Sequence, residues 1–204
     1  MTPEDVRRAV ALALHALTPA TDVDWQVPAR GLDWSVWETV EHMSDDLFCY
    51  AGQLGPAKPS LTTEVPFGYR RLREDGPMLT IYVDPAKGAA AQLPVLESSG
   101  ARLAAMVATA PPNRLSFHTY GASDPSGFAA MGVVEVLVHM YDVAGALGLD
   151  WAPPDDLCRP ALDRLFPAVP AGAEPWPTLL WATGRAALPD HPLQTSWRWD
   201  GSPR

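Results

Sequence analysis

Glu135, His139 and Asp142 lie four and then three residues apart in a segment, FAAMGVVEVLVHMYDVAGALGL, that is otherwise apolar on nearly every side. Residues i, i+3 and i+4 share one face of a helix, so the three side chains form a single polar stripe. A helix that is apolar all round belongs inside a fold, and a carboxylate there is costly unless it is paired, protonated or bound to a metal. Glu135 and His139 offer an oxygen and a nitrogen from adjacent turns, a donor pair suited to a borderline cation such as Zn2+ at bond lengths of about 2 Å. A third ligand has to come from another helix. His42 is the best-placed candidate, because Asp45, Asp46 and Cys49 follow it at i+3, i+4 and i+7 and give its helix a polar face. Two histidines and a glutamate leave at least one coordination position open, as catalytic rather than structural sites do. Such an ion could lower the pKa of bound water or hold a thiol as thiolate.

Each of these residues also has a plainer reading. A glutamate four residues before a histidine recurs by chance as a surface ion pair, and only the apolar surroundings favour a ligand role here. His42 alone could be a satisfied core histidine or a surface residue. Asp142 could orient a ligand histidine or form an ordinary ion pair. Asp46 could be a fourth ligand, an orienting group, a general base or a solvated side chain. Asp46 and Asp142 are the two carboxylates expected to assist catalysis. Tyr50, His118 and Tyr120 could border the pocket or simply pack. Cys49 has no cationic neighbour to depress its pKa and reads as a small buried apolar residue. Ser123 and Asp124 near His118 do not make a hydrolase, since there is no GxSxG elbow and Asp124 is accounted for as a helix cap. Neither a phosphate-cradling glycine loop nor a dinucleotide fingerprint is present.

The elements that must position these residues can be placed from their boundaries. Thr2-Pro3-Glu4-Asp5 predicts a helix start and a first helix to about Leu17. Ser35-Val36-Trp37-Glu38 is a capping box, opening a second helix that should stop at Gly55-Pro56. A third helix covers most of 88–109, with Pro94 either kinking it or marking its start. Asp124-Pro125 caps a long fourth helix that ends near Gly148. Segments 78–84 and 115–121 have strand-like composition. Beyond Trp151 the prolines multiply, and two short helices, about 155–166 and 177–187, precede a closing extended piece, TSWRWDG.

Composition narrows the function. A chain of 204 residues with 47% hydrophobic content fits one compact domain with a modest extension. Its net charge of −9 and scattered arginines argue against nucleic acid as a partner. Cys49 and Cys158 form neither a disulfide framework nor a zinc ribbon. No signal core is apparent and no apolar run is credited with crossing a membrane, so a cytoplasmic protein, monomer or homodimer, is expected.

LDWSVWETVEHMSDDL, followed much later by GFAAMGVVEVLVHMYDVAGALGL, resembles the DinB-like, mycothiol-dependent maleylpyruvate isomerase superfamily of actinobacteria. The resemblance covers roughly residues 1–150. It implies an all-α, DinB-like four-helix bundle, extended by residues 151–204 as short helices with one or two short strands. It also implies a metal held by His42 from the second helix and by the Glu135–His139 pair from the last. The metal would be zinc, with nickel, iron or manganese as substitutes, and the cosubstrate mycothiol or another low-molecular-weight thiol. The implied activity is thiol transfer to a small-molecule electrophile, or isomerisation through such an adduct. Arg70, Arg71, Arg114 and Arg185 are candidates by type for recognising the thiol. The alternatives are hydrolysis by metal-bound water and a non-catalytic ligand-binding or stress-response role.

Overall fold

Capping chemistry sets the helix starts. Thr2 accepts from the Asp5 amide while the Asp5 carboxylate takes the Thr2 amide, so α1 (Pro3–Leu17) opens on a capping box. Ser35 and Glu38 do the same for α2 (Val36–Leu54). The computed structural model describes residues 1–170 and 172–204 and is mainly helical. α3 (Gln92–Thr109) follows two single-turn 3-10 helices, and Pro94 falls in its first turn, where a missing N–H leaves no bond unmade. Pro94 therefore marks the start rather than a kink. Asp124 accepts from the Gly127 amide at 2.8 Å to open α4 (Pro125–Leu147), which Gly148 ends in the left-handed conformation at φ +68°.

α5 (Asp155–Leu165) lies where the sequence places it, but α6 (Pro175–Ala182) starts two residues early and stops well before 187. Proline at its first position explains the early start. Gly184, at φ +71°, then turns the chain back so that the Arg185 amide bonds the Leu180 carbonyl.

The expected short strands do not form ladders. Among the described residues only isolated antiparallel bridges occur, including Arg70 with Leu79 and Ser116 with Ser123. The reason lies in α2. The amides of Thr80 and Ile81 donate to Asp45, and that of Val83 donates to Glu41, each at 2.8 Å. Helix carboxylates thus take the bonds that a neighbouring strand would have taken. The closing segment 195–201 is likewise irregular, tied to the end of α5 by the Asp200 amide on the Leu165 carbonyl.

α1 and α2 each pack against α3 and α4, α3 packs on α4, α5 on α4, and α6 on α5. One apolar core runs from Val10 and Met43 through Leu103 and Leu137 to Leu162, Leu179 and Trp199, so residues 151–204 share it. Gly132 lets α4 approach α2 and α3 closely, since a Cβ there would stand 2.5 Å from Leu103 and 2.9 Å from Leu47. By length and composition α4 is apolar enough to cross a bilayer, contrary to the sequence reading. In this fold 72% of that stretch is buried inside the protein, as a core helix requires.

Candidate metal centre

His42 stands two turns into α2, and Glu135 and His139 stand on consecutive turns of α4. Packing α2 against α4 brings one donor atom of each within 4.8 Å of the others. Glu135 Oε2 lies 3.2 Å from His139 Nε2 and 4.0 Å from His42 Nε2, and the two imidazoles meet edge to face with centroids 4.9 Å apart. The other nitrogen of His139, Nδ1, is 3.2 Å from Asp142 Oδ2. That bond fixes the ring and leaves Nε2 to face the cluster. Glu135 is steadied as well, because Oε1 accepts from the Tyr50 hydroxyl at 3.3 Å.

Charge follows burial and neighbours. Burial would raise Glu135, but the hydrogen bond from His139 and the charges of both histidines outweigh it and hold the carboxyl at about 2. Burial, reinforced by repulsion from His139, lowers His42 to about 4 even with Glu135 nearby. Burial also opposes the charge on His139, yet its bonds to Asp142 and Glu135 raise it overall. Asp46, whose Oδ2 is 3.2 Å from His42 Nε2, is pushed well above the usual carboxylate range by burial and by the charges of Glu135 and Asp45. An ionised glutamate, a neutral His42 and a pre-aimed His139 Nε2 suit a divalent cation once His139 and the hydrogen bond between Asp46 Oδ2 and His42 Nε2 each give up a proton. The residues fit the group.

Above the three donors opens a cavity of about 220 Å³. Trp34 precedes α2, Tyr120 comes from the α3–α4 connection, and Trp197 and Trp199 come from the closing segment, while Val134 and Val138 supply apolar wall from α4. Of the four arginines named by type, only Arg185 lines it. Arg114 is spent on the carbonyls of Leu54 and Pro56, Arg71 on that of Glu74, and Arg70 lies over the Tyr82 ring. Asp142 is 1% exposed and faces His139 and Arg185 rather than the cavity, so it positions a ligand instead of meeting a substrate.

Of the three residues that could border the pocket or simply pack, Tyr120 borders the cavity, whereas His118 lines a second, smaller cavity beside Asp46 and Tyr50. Ser123 donates to the Gly201 carbonyl and Asp124 pairs with Arg164 at 3.2 Å, so no hydrolase triad forms with His118. Cys49 is buried, with Asp45 and the Tyr69 hydroxyl as its polar neighbours, and burial raises its thiol to about 12. Sequence reasoning missed Trp34, Thr183, Trp197 and Trp199 as pocket residues. The only signal was the aromatic density of WRWDG, which gives no direction in space. Compared with family models, curated proteins and solved structures, the chain matches none of them.

Proposed function

We propose that α1 to α4 form a DinB-like four-helix bundle holding a divalent metal on His42, Glu135 and His139, and that the centre activates a small thiol for transfer to an electrophile or for isomerisation through an adduct. The observation that carries this reading is the convergence of three ligand atoms from two helices, with the far nitrogen of His139 already committed to Asp142. A bound cation of the zinc class, or nickel, iron or manganese in its place, supplies an open Lewis-acid position that keeps a thiol sulfur ionised near neutral pH. Mycothiol is the cosubstrate that the family resemblance suggests.

The remaining work belongs to side chains. Asp142, itself paired to Arg185 at 3.0 Å, holds His139 in its productive orientation. Tyr50 restrains Glu135. Asp46, raised by burial beside His42, lines the neighbouring smaller cavity rather than this one and steadies the His42 ring through Oδ2. Trp34, Tyr120 and Trp199 offer flat apolar faces for a planar electrophile and exclude water from it.

Hydrolysis by metal-bound water is the second reading, since about 220 Å³ is small for a pseudodisaccharide thiol. Asp46 weighs against it, because a protonated carboxylic acid is no general base. Metal analysis of the wild type, His42→Ala and Glu135→Ala tests the centre, with about one equivalent expected in the wild type and loss in both variants. Turnover of 1-chloro-2,4-dinitrobenzene with and without added thiol then separates the two readings. Thiol-independent turnover would favour the hydrolase.

A further inference from the structure

The metal cavity does not end at Arg185. Leu32, Thr183, Arg185 and Trp197 also line an adjoining cleft of about 380 Å³, which continues past Tyr141 and Asp142 to Arg30 and the exposed Leu193. The two spaces differ in chemistry. Both share Thr183 and Arg185; the first adds the three donors and aromatic and branched side chains, whereas the second adds a further guanidinium, that of Arg30. Asp142, the one carboxylate in the cleft, is already neutralised by Arg185.

The backbone that carries Arg30 is held, and its side chain lies on an aromatic ring. Its amide donates to the Asp142 carbonyl at 2.9 Å, which ties the loop to α4. Its guanidinium lies 4.9 Å from the centre of the Tyr141 ring and passes over Gly145. A Cβ on Gly145 would stand 2.2 to 2.6 Å from Arg30 Nε, Cζ and Nη2, so only glycine leaves room for the group there. Among the described residues no carboxylate pairs with Arg30, although the chain carries a net charge of −9. An unpaired guanidinium stacked on an aromatic face presents the planar fork that carboxylates accept.

We infer that this cleft is a binding subsite for the distal carboxylate of an anionic thiol whose sulfur lies in the metal cavity. The inference rests on the thiol reading above for which end reacts. The small apolar cavity suits the electrophile, and the longer cleft suits the body of the thiol. Mycothiol, an uncharged sugar thiol, would offer Arg30 only hydroxyl acceptors, so the cleft keeps the thiol chemistry proposed above but favours another low-molecular-weight thiol, one that bears a carboxylate.

The test is calorimetric titration of zinc-loaded protein with 6-mercaptohexanoate and with 6-mercaptohexanol, which differ only at the distal group. The carboxylate should bind about tenfold more tightly, the yield of one charge-assisted contact at a half-open site. Arg30→Met should erase that preference while leaving the zinc content and the mercaptohexanol affinity as they were. Gly145→Ala keeps the charge but crowds the guanidinium, and should weaken the preference in the same direction. Equal affinity for the two thiols, or a preference that survives Arg30→Met, overturns the subsite. Hexanoate without sulfur, titrated into chelator-treated protein, separates this from the metal reading. Weak binding that is lost in Arg30→Met keeps the subsite even where no metal binds.

Discussion

Arg185 grips Asp142 with two nitrogens, Nη2 at 3.0 Å from Oδ2 and Nε at 3.5 Å from Oδ1. Oδ2 is also the atom that meets His139 Nδ1. The turn after α6 thus reaches back to His139 on α4 and ties residues 151–204 to the candidate metal centre. Partners of this kind typically contribute 10- to 100-fold to metal affinity, so Arg185→Met should weaken zinc binding by about that range. It also strands a buried carboxylate, at a cost of about 3 kcal/mol of stability. Competition with a chromophoric chelator measures the first and urea unfolding the second. Unchanged zinc affinity would mean that packing alone aims His139.

Tyr50 acts on the other side of the centre. Its hydroxyl bonds the oxygen of Glu135 that points away from the histidines. At 3.3 Å the bond is long, and its loss should be worth about 1 kcal/mol, or roughly fivefold in zinc affinity. Tyr50→Phe should show that loss in the same chelator competition with its fold intact by circular dichroism. An affinity equal to that of the wild type removes Tyr50 from the site.

His118 makes a pH prediction independent of the metal. Burial lowers it to about 4, with only a weak opposing pull from Glu135. In the unfolded chain it titrates near 6.5. Below that value the unfolded state takes up a proton that the folded state refuses, so stability falls as pH drops from about 6.5 towards about 4 and then levels. His118→Phe removes the His118 share of this slope, while His42, lowered to about 4 as well, keeps its own. Allowing for partial exposure, the variant should gain about 1–2 kcal/mol relative to the wild type between those limits. Urea midpoints at several pH values decide it, and parallel curves for the two proteins would refute the burial effect.

Local chemistry explains how much of this was legible in the sequence. The caps at Thr2, Ser35 and Asp124 are short-range devices, and all three stand where their residue types place them. The stripe of Glu135, His139 and Asp142 follows from helical spacing, and the apolar flanks announce burial. His42 is nominated by the polar face of its own helix and the resemblance strengthens that choice, since nothing in the sequence itself fixes how α2 meets α4. The strand-like segment 78–84 misled because its partners are the side chains of Glu41 and Asp45, long-range contacts that composition cannot reveal. Arg185, Trp197 and Trp199 arrive at the site through two chain reversals, beyond the reach of any periodicity.

Gly132 tests the packing that sets the site's geometry. Alanine is the better helix former by about 1 kcal/mol on an exposed face. Here its methyl would press on Leu47 and Leu103 and force α2 and α3 away from α4. Overpacking of this kind costs about 1–3 kcal/mol, so Gly132→Ala should lower the thermal midpoint despite its propensity. A rise in midpoint would show that the helices yield without strain.

A protein that activates an external thiol is best served by inert thiols of its own. Cys49 lines the smaller cavity beside Asp46, and Cys158 lies on the buried face of α5. Burial, followed by repulsion from nearby aspartates, raises both to about 12. A thiol reacts as thiolate, so at pH 8 both should be almost wholly protonated and shielded. Ellman's reagent should therefore label neither cysteine in the native protein over minutes, and both once guanidinium unfolds it. Rapid labelling of one equivalent, abolished in Cys49→Ser, would make Cys49 a reactive group at the site. In that case the nucleophile would belong to the protein itself, and added thiol would no longer be needed to explain turnover.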